Sequence, residues 1–157
     1  MFIRKFQSTD FPHILSLFYD TVHTVNARDY TPEQLDVWAP TQVDEQRWRG
    51  LLDNNIVYVA ESQGIIVGFG DLTNEGYVTR LFVHKDFQSQ GVGAALLQQL
   101  EDEAHRLGIH ELVTEASITA KPFFEKHGFV VVKLQTVGRR GVKLQNYVMK
   151  KVLDEYK

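Results

Sequence analysis

The stretch Val83-His84-Lys85-Asp86-Phe87-Gln88-Ser89-Gln90-Gly91-Val92-Gly93-Ala94 decides the reading of this chain. It is a strand end, a polar loop and then a helix with two glycines at its mouth. Upstream, Tyr77 to Val83 is β-branched, aromatic or aliphatic apart from Arg80, which suits a strand. Downstream, Val92, Leu96, Leu97, Leu100, Ala104 and Leu107 recur at helical spacing, and Gly108 follows as a stop. A glycine-rich turn entering a helix leaves several backbone N–H groups unpaired and pointing outward. With the helix dipole behind it, such a nest favours a phosphate group.

Spacing narrows the kind of loop. A Walker loop needs Gly-Lys-Ser or Gly-Lys-Thr after its second glycine, and no such lysine is present. The dinucleotide fingerprint needs a third glycine where this chain has Leu96. What remains is Gln88-x-x-Gly91-x-Gly93, which resembles the acetyl-CoA loop of the GNAT superfamily of N-acetyltransferases, (Gln/Arg)-x-x-Gly-x-(Gly/Ala). The competing reading is a βα turn whose glycines merely permit close helix packing.

The rest of the composition limits the alternatives. A chain of 157 residues with 43% hydrophobic residues is expected to form one domain, over 1–157, with a real core. A net charge of −3 gives no support to a nucleic-acid binder. The absence of cysteine removes disulfides, thiolate nucleophiles and Cys-ligated zinc together, and fits a cytoplasmic protein. Met1 to Phe6 alternates and then turns polar, unlike a signal peptide, and no apolar run is long enough to suggest a membrane partner. The six histidines are scattered without His-x-x-x-His spacing, so no metal is expected.

Periodicity supplies the element order. Phe2 to Phe6 is a short strand. Thr9-Asp10-Phe11-Pro12 starts a helix with Phe11, Ile14, Leu15, Phe18, Val22 and Val25 on one stripe. Residues 26–39 are irregular, with a second helix start at Thr31-Pro32-Glu33. Asp44 to Leu52 is a helix that turns Trp48, Leu51 and Leu52 inward. Strands follow at Ile56 to Glu61, Ile65 to Leu72 and Tyr77 to Val83. Then come the helix 91–107, a strand at Glu111 to Ala116, a helix at Thr119 to His127, and strands at Phe129 to Leu134 and Gln145 to Val152. The order β-α-α-β-β-β-α-β-α-β-β predicts an α/β fold: one mixed sheet with helices on both faces, and a parallel crossover between Tyr77 to Val83 and Glu111 to Ala116.

A second motif lies downstream at Ser117-Ile118-Thr119-Ala120-Lys121-Pro122-Phe123-Phe124-Glu125-Lys126-His127-Gly128-Phe129. It resembles the GNAT pattern Asn-x-x-Ala-x-x-Phe-Tyr-Glu-Lys-x-Gly-Phe. Two matches in the right order, with the element order agreeing, extend the resemblance over nearly the whole chain. The resemblance implies that the central parallel strands splay apart at a bulge. The pantetheine of acetyl-CoA would enter the split and pair with backbone groups of Leu81, Phe82 and Val83. One of those N–H groups would stabilise the oxyanion formed at the thioester carbonyl. The diphosphate would lie on Gln88, Ser89, Gln90, Gly91, Val92, Gly93 and Ala94, with the Gln88 side chain as a further donor. Ser117 and Phe123 would line the pantetheine arm. The acceptor amine attacks directly, so no enzyme nucleophile is required.

The match departs from the family at three places. Phe124 replaces the tyrosine that is the family's usual acid for the leaving thiolate, so that role passes to another tyrosine or to water, or activity is weak or lost. Ser117 replaces an asparagine, with shorter reach. Lys85 replaces a proline. The general base is also open. The position where one branch of the family has a glutamate is Tyr77, and strict alternation puts Tyr77, Thr79, Leu81 and Val83 on one face. Tyr77 and Glu115 are the catalytic candidates; Asp71 and Glu75 are further carboxylates near the cleft. Arg139 and Arg140 read as a solvated hairpin tip or a contact for the cofactor's 3′-phosphate.

The acceptor pocket is expected from the first helices and residues 26–40, with Tyr30 and Trp38 as substrate contacts and Asp29 and Asp36 as partners for a cationic amine. The expected partner is a small-molecule amine, with a homodimer as a further possibility common in the family. Two other readings stay open: a non-catalytic acyl-CoA sensor, and an acetyltransferase acting on protein lysines or N-termini.

Overall fold

The computed structural model describes residues 1–153, so the last residues of the expected 1–157 domain lie outside it. Strand β1 (Phe2–Lys5) runs through a 3₁₀ turn at Ser8–Asp10 into helix α1 (Phe11–Thr24). Pro12 fits the first turn, where its missing N–H has no helical partner to lose. Phe11, Ile14, Leu17, Phe18 and Val22 bury one face of α1. A 3₁₀ turn at Asn26–Arg28 follows, then helix α2 (Pro32–Trp38). Helix α2 begins at the expected start, Thr31-Pro32-Glu33, within a stretch otherwise expected to be irregular. Thr31 and Gln34 form its capping box, and Thr31 Oγ1 accepts from the Gln34 N–H.

Helix α3 (Glu45–Asn54) is capped by Asp44, which accepts from the Arg47 N–H. Its inner stripe is Trp48 and Leu52, one turn apart. Leu51 was expected inward but is exposed, because a single residue step rotates it about 100° off that stripe.

Strands β2 (Ile56–Ser62), β3 (Ile65–Leu72) and β4 (Tyr77–Val83) form an antiparallel meander. Helix α4 (Val92–Arg106) crosses to β5 (Glu111–Ser117), parallel to β4. Helix α5 (Lys121–Lys126) leads to β6 (Val130–Arg139) and β7 (Val142–Val152). The last two strands are longer than expected. They meet at Arg140-Gly141, whose φ values of 50° and 78° make the left-handed two-residue turn that suits strand twist. Gln135 to Lys143 carries little apolar signal, because this part of the hairpin is largely solvated.

The sheet order is β1-β2-β3-β4-β5-β7-β6, a seven-stranded mixed sheet. One core lies under α4, where Leu96, Leu97 and Leu100 are fully buried with Val78 and Leu112. Each such leucine contributes about 2 kcal/mol. A second core lies on the other face under α1, around Phe18, Val59 and Phe69. Strand β6 is a sheet edge and leaves Val130, Val131, Val132 and Leu134 exposed around Lys133. Among the described residues no helix is long and apolar enough to cross a membrane.

Candidate active site

The two parallel strands pair only at Tyr77–Val113 and Val78–Thr114. The Thr114 hydroxyl reinforces that junction by donating to the Val78 carbonyl at 2.9 Å. Beyond it, β5 stays paired with β7 as far as Ser117–Asn146, and β4 stays paired with β3 as far as Val83–Gly68. The facing edges of β4 and β5 are therefore open from Thr79 and Glu115 onward. A gap in the middle of a sheet exposes backbone donors and acceptors that a guest chain can pair with.

The direction of those donors follows from one hydrogen bond. The His84 N–H donates to the Val67 carbonyl on β3 at 2.8 Å. Alternation then turns the main chain of Phe82 toward β3, and that of Leu81 and Val83 toward the gap. Phe82 was expected to offer backbone groups to the cofactor; its backbone is committed to the sheet, and its ring instead packs on the α1 side against Phe18 and Trp38.

A bulge shapes the near end of the gap. The register passes from Asp71–Arg80 to Leu72–Val78, leaving Thr79 without a partner on β3. The extra residue reverses the alternation. Val78, Leu81 and Val83 all pack on the α4 core, whereas Arg80 lies over Trp48 and Phe82 joins the α1 core. The expectation that Tyr77 shares a face with Leu81 and Val83 is thus overturned, because it assumed an unbroken strand. Tyr77 lies on the α1 face.

Glu115 is on that face too, since its neighbour Ala116 is buried in the α4 core. The Glu115 carboxylate is the charged group that acts on the Tyr77 hydroxyl. Burial, and then the carboxylate, push the Tyr77 hydroxyl well above its ordinary value, so it remains a donor at neutral pH. Gln135 Nε2 donates to the same carboxylate at 2.5 Å. Asn146 stands beside Ser117 and Gln135 in the strand register, and its Oδ1 is buried without a hydrogen-bond partner among the described residues. Of the further carboxylates, Glu75 is an exposed turn residue. Asp71 is fully buried and bound to Arg80 and Asn55, so it is not free for proton transfer.

The glycine loop closes the far end. Gly91 has φ 84° and is the N-cap of α4, with no side chain capping the helix. The first helical bond runs from the Ala95 N–H to the Gly91 carbonyl, so the N–H groups of Val92, Gly93 and Ala94 precede the ladder. Ser89 is also left-handed, at φ 61°, and Ser89, Gln90 and Gly91 are exposed. At Gly93, a Cβ would meet the Phe123 ring at 3.1 Å, so this glycine lets α4 approach α5. Gln88 turns inward: its Nε2 donates to the Val83 carbonyl at 2.7 Å and not outward to the loop. These groups fit an anionic diphosphate in front of the helix and an extended arm in the gap.

The remaining candidates divide. Phe123 lies under the helix mouth, whereas Phe124 is buried edge-on against Phe129. Ser117 Oγ accepts from the Ala120 N–H at 3.0 Å and from Asn26 Nδ2 at 3.3 Å. Tyr30 is buried, and its hydroxyl is satisfied on both sides, by the Ile118 N–H and the Gln145 carbonyl. Only its ring, edge-on to Trp38 at 5.4 Å, remains for a ligand. Asp29 is held by Thr119, and Arg139 and Arg140 are exposed at the hairpin tip. Sequence reasoning missed Thr21, Asn26 and Asn146. Thr21 Oγ1 donates to the Val83 carbonyl across 62 positions, and Asn26 reaches Ser117 across 91. No local pattern marks such pairs.

A profile of the acetyltransferase (GNAT) domain matches residues 26–151. The chain belongs to the GNAT family of acetyltransferases. It is 38% identical over 148 residues to the uncharacterized N-acetyltransferase YafP of Escherichia coli K12, covering 94% of this chain and 93% of that one. It also resembles the crystal structure of a GCN5-related N-acetyltransferase from Rhodopseudomonas palustris, with a TM-score of 0.93 and 32% identity over 97% of this chain and 95% of that one. The PaiA N-acetyltransferase of Thermoplasma acidophilum, solved with coenzyme A, shares the fold at a TM-score of 0.81 and 19% identity, over 97% of this chain and 98% of that one. This GNAT chain is an acetyl-CoA-dependent acyltransferase.

Proposed function

We propose that this GNAT domain transfers the acetyl group of acetyl-CoA to the primary amine of a small molecule in a ternary complex. The observation that carries the reading is the gap between β4 and β5, with the Leu81 and Val83 N–H groups directed into it. A thioester carbonyl there accepts from one of these donors, and the pantetheine amides pair with the other edge groups. The N–H groups of Ser89 to Ala94 receive the diphosphate. Phe123 walls the arm below the loop.

The acceptor enters from the α1 face. Trp38 and the Tyr30 ring supply an aromatic wall for it. Glu115 is the group that takes the amine proton, directly or through water, while Tyr77 and Gln135 orient it. The unpartnered Asn146 Oδ1 receives an N–H of the same amine. As the new C–N bond forms, the C–S bond breaks and the thiolate leaves. With Phe124 where the family has tyrosine, water protonates that thiolate.

Calorimetry with acetyl-CoA, followed by thiol release across a panel of small amines, tests the reading. Micromolar binding with steady turnover of at least one amine is the expected result. Absence of binding at millimolar acetyl-CoA removes the proposal. Turnover confined to lysine-containing peptides would replace the small-molecule acceptor with a protein.

A further inference from the structure

Residues 26–30 close over the far lip of the gap. Asn26 Nδ2 donates to Ser117 Oγ at 3.3 Å. The Ile118 N–H donates to the Tyr30 hydroxyl at 2.9 Å. Thr119 Oγ1 donates to Asp29 Oδ2 at 2.6 Å. Three successive residues, from the end of β5 into the turn before α5, are therefore held by one short segment. Tyr30 carries the link on to the Gln145 carbonyl of β7 at 2.7 Å. At the other lip, Thr21 Oγ1 of α1 donates to the Val83 carbonyl of β4 at 3.0 Å.

Residues 21–30 thus span the opening on the α1 face and are tied to both edges. No β4–β5 ladder pairs lie beyond Val78–Thr114, so the strands themselves do not set the separation there. We propose that residues 21–30 form a clasp that fixes the width of the gap, with Asp29 and Tyr30 as positioning residues for the pantetheine arm. The clasp rests on the acetyl-CoA reading above. Its Asp29 and Tyr30 ties act on the arm and not on the diphosphate, because they lie on the 117–119 segment and β7, away from the Ser89–Ala94 loop. It also ties the acceptor wall to the donor slot, since the Tyr30 ring that packs on Trp38 belongs to the segment gripping Ile118.

The Asp29–Thr119 bond is exposed, so it can be removed without opening a core. The test is calorimetry of coenzyme A and of 3′-phospho-ADP, which keeps the phosphates and lacks the arm. The pair of substitutions Asp29→Ala and Thr119→Val is expected to weaken coenzyme A at least about fivefold while leaving 3′-phospho-ADP within about twofold. Tyr30→Phe is expected to act in the same direction. Asp29→Asn keeps an acceptor oxygen in place and is expected to stay near the wild type. Equal weakening of both ligands, or unchanged coenzyme A affinity in variants that keep the wild-type melting temperature, overturns the clasp. If the wild-type chain binds 3′-phospho-ADP and coenzyme A but the variants do not discriminate them, only the clasp falls. If it binds neither, the cofactor reading falls and the clasp with it.

Discussion

Val78 and Leu81 face the same core, although strict alternation along β4 would set them on opposite sides of the sheet. The unpaired Thr79 between them absorbs the mismatch. That one residue turns Leu81 and Val83 toward α4, leaves Tyr77 with Glu115 on the α1 face, and ends the pairing with β5. In the proposed reading, the same bulge separates the donor slot from the acceptor side.

Glu115→Gln is expected to lower kcat by about 100-fold, the scale of a lost general base, with little change in acetyl-CoA affinity. Tyr77→Phe is expected to cost less, because the hydroxyl orients the carboxylate without taking the proton. Steady-state rates over a pH series check both. Equal losses in the two variants would move the proton acceptor away from Glu115.

Gly91→Glu and Gly93→Glu are expected to weaken acetyl-CoA by more than about tenfold, through repulsion of the diphosphate. The two positions differ in stability. A Cβ at Gly91 meets nothing within 4 Å, so its cost is the left-handed φ of 84° alone, about 1 kcal/mol. At Gly93 the added atoms also press on Phe123. Calorimetry and thermal melts separate the two effects, and unchanged affinity in both folded variants contradicts the loop assignment.

Asp71→Ala is expected to destabilise the fold by about 3–5 kcal/mol. It would leave Arg80, mostly buried against the Trp48 ring, without its carboxylate. Replacing both partners with apolar residues of similar volume is expected to recover much of the loss. Urea denaturation of the single and double variants measures the difference.

Alkaline pH is expected to loosen the structure through Tyr58. Its hydroxyl donates to Glu103 at 2.6 Å, and burial, then that carboxylate, push it up to about 12 from an ordinary value of 10.0. The folded chain keeps a proton that the unfolded chain releases. The stabilisation is complete below pH 10 and disappears as pH rises through 12. Thermal melts between pH 8 and pH 12 should show a shallower decline in Tyr58→Phe than in the wild type.

Much of this was legible in the sequence because it is local. The glycine loop, the crossover helix and the β2–β3–β4 meander each announce themselves within a short window. The bulge was not legible in the same way. Thr79 has the β-branched character of any strand residue, and only its missing partner on β3 marks it. The site suffered most from this, since the face of Tyr77 depends on that missing pair. Gln88 and Tyr30 show a second loss. Their residue types suit a ligand, but their polar atoms are satisfied by main-chain groups that sequence spacing does not reveal.

The outermost strand carries a consequence of its own. A bare row of valines along β6 offers hydrogen-bonding groups and apolar side chains to any extended neighbour, and Lys133 is the single charge between Val130 and Leu134 that discourages such stacking. Chemistry that neutralises this ammonium, acetylation included, would leave the break in register at Val132 as what still guards that border against joining edge to edge.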